Sequence, residues 1–288
     1  MTLVCSYPVM QIRPYGLLVY ERKEYDTLPR RDHTKPKAEI TGYTGVLTTF
    51  ARKKLKRAIQ LLVASAEEKE APNFKTGKLF KFKVNFLTFT LPAAQEEIGD
   101  KEIKHCLDNW IKRAKRKHNL RSYVWRAERQ ANGAIHFHMI TDTYIHYQSI
   151  RDDWNSCLRP LGFIDKFKAK HGHENPNSTD VHAVWKVRNL TQYFIKYMSK
   201  EHKEGEKPIE GKVWDCSKNL KTKNNCELIL ENENRDKWEE LRKDESLQIL
   251  NDPLFTLLFI PPDKFIILFP REWLDRWNEY LAVIRNSS

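Results

Sequence analysis

The stretch of sequence that decides the fold is residues 123–140, YVWRAERQANGAIHFHMI. Tyr123 to Glu128 and Ala134 to Ile140 are predicted to be two β-strands, because apolar side chains recur at the two-residue period of a half-buried strand. Between them, Asn132-Gly133 is a strong hairpin signal, since a tight type I′ turn needs positive φ at both central residues. The sequence therefore predicts an antiparallel pair of strands joined by a short turn.

The second strand of this hairpin carries two histidines. His136 and His138 are two residues apart, so their imidazoles project from one face of the sheet while Phe137 points into the core. The chain has ten histidines, so a pair of this kind can arise by chance. A second pair, His171 and His173, falls in a stretch rich in Gly, Asn and Pro and is interpreted as incidental.

Glu128 distinguishes the first histidine pair from the second. A turn at Asn132-Gly133 brings Glu128 beside His136 and His138 on the neighbouring strand. Two imidazoles and one carboxylate fill part of a coordination sphere and leave other positions open, as catalytic metal sites do. The alternative is a surface Glu128 in an ordinary salt bridge with a neighbouring arginine.

A third group of reactive side chains is predicted on a helix that begins near Asn189. Tyr193 and Tyr197 are one helical turn apart and share a face, which Lys196 and Lys200 flank. Neighbouring positive charge favours the phenolate form of tyrosine, which is the nucleophilic form. The alternative is that both tyrosines are packing residues on a lysine-rich helix.

Taken together, these motifs resemble the HUH endonucleases, in particular the two-tyrosine rolling-circle replication initiators of single-stranded DNA phages and related plasmids. The resemblance extends over about residues 80–220. It rests on the strand 86–91 ending in Thr and Leu, on Glu128 followed by His136-Phe137-His138, and on Tyr193-Phe194-Ile195-Lys196-Tyr197. Residues 213–220, VWDCSKNL, are similar to a trailing strand that contains Trp in such initiators.

The resemblance implies a divalent cation, Mg²⁺ or Mn²⁺, held by His136, His138 and Glu128. It further implies that Tyr193 or Tyr197 attacks a phosphate of origin single-stranded DNA, which leaves a 5′-phosphotyrosine link and a free 3′-OH. Lys196 would stabilise the charge on the phosphate or the phenolate. A host polymerase would extend the 3′-OH, and the absence of a nucleotide-binding P-loop motif makes a host helicase an expected partner.

Composition agrees with a nucleic-acid partner. The 288 residues carry a formal net charge of +12, which favours nucleic acid first and an anionic membrane surface second. The chain has no apolar run long enough to span a bilayer and no secretory signal is expected, so we predict a cytoplasmic protein without membrane association. Five scattered cysteines, without a C-x-x-C motif, argue against a disulfide framework.

The predicted fold class is α+β, with a central antiparallel sheet, flanking helices, and N- and C-terminal extensions. Three segments are expected: a basic N-terminal arm and amphipathic helix over 1–78, an endonuclease core over 79–225, and a helix, hairpin and helix over 226–288. Residues 1–45 show little periodicity and are interpreted as an extended arm. The apolar runs of 253–269 are interpreted as the hairpin.

Two further predictions concern the basic clusters and the central strands. A single strand is predicted from Phe80 to Phe89, and a helix capped by Asp100 is predicted to extend to about His118. Basic side chains at 52–57 and 112–117 are expected to hold the DNA backbone, unless they are ordinary solvated helix faces.

Other functions remain open from the sequence alone. A single-strand transposase or a conjugative relaxase would use the same two-tyrosine and metal arrangement on different DNA. A non-catalytic DNA-binding autoregulator would bind DNA around a structural cation without cleaving it. A zinc deaminase is disfavoured because its H-x-E and C-x-x-C motifs are missing.

Overall fold

A computed structural model of the chain describes residues 3–26, 44–72, 76–183, 190–200, 205 and 207–287. The strands are β1 (Leu3–Arg13), β2 (Gly16–Tyr25), β3 (Lys69–Pro72), β4 (Leu79–Phe82), β5 (Asn85–Phe89), β6 (Tyr123–Arg129), β7 (Ile135–Thr141), β8 (Thr179–Ala183), β9 (Trp214–Cys216), β10 (Cys226–Ile229), β11 (Gln248–Asp252) and β12 (Phe255–Phe259). The helices are α1 (Thr49–Ser65), α2 (Asp100–His118), α3 (Tyr147–Leu158), α4 (Phe163–His171), α5 (Leu190–Met198), α6 (Asn232–Arg242), α7 (Phe265–Leu268) and α8 (Arg271–Asn286). The predicted α+β class with a central antiparallel sheet is confirmed.

The chain forms two compact units. The first combines Met1–Glu39 with Thr222–Ile284, and the second combines Ile40–Lys221 with Arg285–Ser288. The predicted segments 1–78, 79–225 and 226–288 follow chain order, whereas the first unit joins the two ends of the chain. Strand pairing is the reason, because β1 pairs with β10 and β2 pairs with β12.

The first unit contains a five-stranded antiparallel sheet in the order β10-β1-β2-β12-β11. The prediction of an extended arm over residues 1–45 is therefore wrong for residues 3–25, which form the β1–β2 hairpin. The sequence hides β1 because Val9, Met10, Gln11 and Ile12 are all buried, so no alternation of apolar and polar residues marks the strand. The basic residues of 27–43 lie outside the described residues.

The C-terminal hairpin also differs from the prediction. Strands β11 and β12 pair with each other around Pro253-Leu254, so the hairpin lies earlier in the chain than predicted. The second apolar run, Phe265 to Leu268, is the short helix α7. Because Pro261 and Pro262 cannot donate to a sheet, they end the β12 region and start a turn that leads into this helix.

The second unit contains the five-stranded antiparallel sheet β8-β5-β7-β6-β9. One face is packed by α2 and α3: Phe89 lies between Trp110 and Trp154, with ring centroids 4.7 and 5.2 Å away, and Phe137 contacts Trp154 from the next strand. Helix α5 packs on the opposite face, where the Phe194 ring stacks on Phe86 at 5.7 Å. The two faces follow directly from the two-residue period of the strands.

The turn between β6 and β7 is longer than predicted. The Gly133 amide donates to the Gln130 carbonyl, and Gln130 and Ala134 form the last bonded pair. Within the turn only Gly133 has positive φ, at +81°, so a three-residue loop replaces the predicted type I′ turn. Asn132 supports the loop through its side-chain oxygen, which accepts from the Ala134 amide. The predicted strands and their pairing are nevertheless confirmed.

Two details of the central elements are corrections. The predicted strand from Phe80 to Phe89 is divided into β4 and β5, and β4 pairs with β3 as a separate two-stranded ribbon. Asp100 is not the cap of α2; Gly99 takes that position, and both carboxylate oxygens of Asp100 accept from the Arg129 guanidinium. The five cysteines carry free thiols, as predicted. Among the described helices, none combines the length and apolar character needed to cross a bilayer.

The aromatic core predicts a large effect of one substitution. Phe137 is fully buried, and we expect Phe137→Ala to lower the free energy of unfolding by about 3–5 kcal/mol because contacts are lost and a cavity remains. Phe50→Ala is the matched control, since its ring is 68% exposed and the loss should be below about 0.5 kcal/mol. Urea unfolding measures both, and equal losses would contradict the core assignment.

Candidate active site

The hairpin brings the three predicted metal-ligating residues together. Glu128 pairs directly with His136 across β6 and β7, and His138 is two residues further on the same face. The Glu128 Oε2 atom lies 3.7 Å from His136 Nε2 and 3.5 Å from His138 Nε2. One ligand atom from each residue lies within 4.8 Å of the others, a spacing suited to a shared cation. We call this trio the cradle.

Several polar atoms of the cradle lack hydrogen-bond partners. Both ring nitrogens of His136 and the Glu128 Oε1 atom are buried and have none among the described residues. Leaving buried polar atoms unsatisfied costs free energy unless another group binds them. The donor set, two imidazoles and one carboxylate, suits a divalent cation with open positions. The chemistry of these residues therefore fits the predicted metal.

The orientation of His138 is fixed from the neighbouring strand. Thr88 of β5 is paired with His138, and its Oγ1 lies 3.2 Å from His138 Nδ1. A hydrogen bond at Nδ1 holds the ring so that Nε2 faces Glu128, an arrangement that metal-binding histidines commonly show. The Phe86 ring stacks on the same imidazole at 5.2 Å. Burial lowers the pKa of His138, which favours the neutral imidazole that binds metals.

The charge of Glu128 is maintained by its neighbours. Burial alone would raise its pKa, but polar contacts with His136 and His138 and the positive charge of Arg126 outweigh burial. The pKa of Glu128 is consequently held below its ordinary value of 4.5. The carboxylate is therefore ionised at neutral pH, as a metal ligand must be.

Both predicted nucleophiles lie against the same aromatic cluster. Tyr193 and Tyr197 of α5 have ring centroids 4.6 Å apart, and each contacts Phe86, at 6.5 and 6.3 Å. Phe86 also stacks on His138, so one ring separates the cradle from the paired phenols. Tyr193 is partly buried, whereas Tyr197 is 37% exposed. The sequence predicted this proximity only through the family resemblance.

The lysines of α5 do not activate Tyr193 as expected. Burial and the adjacent Tyr197 raise the pKa of the Tyr193 phenol above its ordinary value of 10.0, so the prediction of a phenolate favoured by nearby lysines is wrong for this residue in the chain alone. Lys196 is exposed on the same helix, and Lys200 Nζ lies 5.1 Å from the centre of the Tyr197 ring. A role of Lys196 stays a prediction.

Sequence reasoning missed one functional candidate, Arg126. Its guanidinium is buried, and Nη1 donates to the Met198 carbonyl at 2.7 Å while lying 3.2 Å from Glu128 Oε1. Arg126 thereby connects the cradle to the last turn of the tyrosine helix. The signal was present, because Arg126 and Glu128 are two residues apart in a strand and must share a face. The second histidine pair is exposed near Phe167 and joins no cluster of ligands among the described residues.

Comparison with known proteins agrees with this geometry. Residues 84–202 match the model of a family of replication-associated proteins, described under the name ORF2. The match covers less than half of the chain but includes the cradle and both tyrosines. Comparisons with curated proteins and with solved structures gave no match. The family match supports a role in the initiation of DNA replication, for which DNA is the implied partner.

The depressed pKa of Glu128 gives a pH-dependent prediction. The stability that ionised Glu128 contributes is complete above its unfolded pKa, near 4.5, and is lost as the pH falls towards the lower folded pKa. With EDTA present, the difference in unfolding free energy between wild type and Glu128→Gln should therefore narrow below about pH 4.5. Urea unfolding between pH 5 and pH 3 measures it. A difference that stays constant over this range would contradict the assigned environment.

Proposed function

We propose that the chain initiates rolling-circle replication by nicking and rejoining single-stranded origin DNA through a two-tyrosine HUH mechanism. One observation carries the proposal: the Phe86 ring contacts the cradle imidazole of His138 and both candidate nucleophiles, Tyr193 and Tyr197. Imidazoles, a carboxylate and paired phenols in one cluster suit transfer of a phosphodiester better than a structural cation site. The family match favours replication over transposition.

In the proposed reaction, a tyrosine hydroxyl oxygen attacks the phosphorus of the scissile phosphodiester. The new bond joins the phenol oxygen to phosphorus, the bond to the 3′ oxygen breaks, and the phenol loses its proton while the leaving oxygen gains one. The products are a 5′-phosphotyrosine and a 3′-OH. Because the bond energy is retained in the link, attack by a 3′-OH later rejoins the strand without ATP.

The residues of the site have distinct tasks in this scheme. A divalent cation, Mg²⁺ or Mn²⁺, bound by His136, His138 and Glu128 would polarise a phosphate oxygen. Thr88 holds the ring of His138, and Arg126 fixes the end of α5. Lys196, on the exposed side of that helix, is available to neutralise negative charge on the phosphate or on the phenolate.

Two adjacent tyrosines allow successive transfers. One phenol can hold the 5′ end while the other cleaves the junction regenerated after a round of synthesis. Host polymerase would extend the 3′-OH, and host helicase would open the duplex. The raised pKa of Tyr193 means that its proton must be removed as substrate and cation bind, because the chain alone does not supply a phenolate.

Metal binding provides the first test of the proposal. We expect Mn²⁺ to bind the wild-type chain with one site that is lost in the double variant His136→Ala/His138→Ala, because a single remaining carboxylate holds the ion weakly. Isothermal titration calorimetry measures the binding. The control is His171→Ala/His173→Ala, which removes an exposed pair and should leave the affinity unchanged. Equal loss in both variants would contradict the cradle as the site.

Covalent capture of DNA provides the second test. Wild-type chain mixed with Mn²⁺ and labelled single-stranded origin DNA should give a product that migrates with the protein on a denaturing gel. Tyr193→Phe/Tyr197→Phe should abolish it, and the two single variants identify the tyrosine that attacks first. Tyr147→Phe, an exposed tyrosine on α3, is the control. DNA binding without any covalent product would favour the non-catalytic autoregulator instead.

A further inference from the structure

The two basic helices of the second unit are related differently to the candidate active site. Helix α1 packs against the tyrosine helix α5 and against strands β6 and β9. Helix α2 packs on the opposite face of the sheet, where Trp110 contacts Phe89. The sequence alone gave both helices the same expected role, whereas the fold gives only α1 a position beside the phenols and the cradle.

The N-terminal end of α1 lies near the cradle end of the sheet. The Ile209 amide donates to the Gly45 carbonyl, and the adjacent Pro208 carbonyl accepts from Arg129, the residue that follows Glu128. Four residues separate Gly45 from Phe50, so the start of α1 is within about 18 Å of this anchored point. The first turn of α1 therefore begins near the end of the sheet that carries Glu128.

The exposed side chains at this end of α1 form an aromatic and basic surface. Phe50 is 68% exposed, Lys53 and Lys54 are exposed beside it, and Lys54 Nζ lies 4.3 Å from the centre of the Phe50 ring. The opposite side of the helix is buried through Leu55, Ile59 and other apolar residues. Exposed cations next to an aromatic ring are the elements with which proteins bind single strands, through phosphate neutralisation and base stacking.

We propose that Phe50, Lys53 and Lys54 form the surface on which the single strand is held as it enters the active site. The lysines pair with successive phosphates, and Phe50 stacks on one unpaired base. The basic cluster of α2 takes no part in this path. The inference rests on the proposed function, because it takes the substrate strand of that site as the occupant, and it adds which surface guides the strand.

The test is equilibrium binding of fluorescein-labelled oligo(dT) to the full chain in EDTA, followed by anisotropy over a range of salt concentrations. Lys53→Gln/Lys54→Gln should weaken binding and reduce the slope of log K against log salt by about 1.4, since each phosphate contact to a single strand contributes about 0.7. The matched control is Lys112→Gln/Arg116→Gln, which removes two exposed cations from α2 and should leave the slope unchanged.

Phe50→Ala tests the stacking part separately. We expect it to weaken oligo(dT) binding roughly tenfold but to leave binding of an abasic strand of equal length unchanged, because no base remains to stack. The lysine variant should weaken binding to both strands. Circular dichroism checks that all variants are folded, which the exposure of the replaced side chains favours.

The outcomes separate this inference from the proposed function. Equal losses in the α1 and α2 variants, or none in the α1 variant, overturn the inference even if the covalent adduct forms. Loss confined to the α1 variants without any adduct supports the inference and overturns the nicking proposal. Failure of the wild-type chain to bind oligo(dT) overturns both.

Discussion

The register of β6 against β7 is the constraint on which the candidate active site depends. Glu128 faces His136 because the three-residue loop after Gln130 sets the pairing, and a slip by one residue would turn the imidazoles towards α2 and α3. The same slip would expose Phe137, which is fully buried on the other face. Core packing therefore enforces the geometry of the site, since the strand cannot keep its aromatic contacts and lose its ligand arrangement.

Two side chains extend this order from the sheet to the tyrosine helix. Phe86 packs between an imidazole and the phenols, and Arg126 connects the carboxylate to the carbonyl of Met198. Both belong to strands that also contribute residues to the aromatic core on the opposite face. A short helix of nine residues, which would be only marginally stable alone, is positioned by these contacts. The candidate nucleophiles thus depend on the sheet for their location.

Local sequence signals predicted the central hairpin, the cradle residues and most helices well, because period-two and helical patterns report which face is buried. They failed where burial covers both faces, as in the run Val9 to Ile12, and where a proline pair divided one apolar stretch into a strand and a helix. They also could not show that Asp100 binds Arg129 instead of capping its own helix. Such partners are far apart in the chain, and no local pattern encodes them. Arg126 was visible as a neighbour of Glu128, but its bond to Met198 requires the folded chain.

The pairing of β1 with β10 and of β2 with β12 also bears on the order in which a ribosome could assemble the protein. The N-terminal hairpin emerges first, yet its partner strands are synthesised roughly two hundred residues later. The sheet of the second unit needs only residues from one intervening stretch, so it can form while the hairpin still waits with open edges. Vectorial synthesis would thus complete the sheet that carries the histidines and phenols before the strands made earliest find their neighbours.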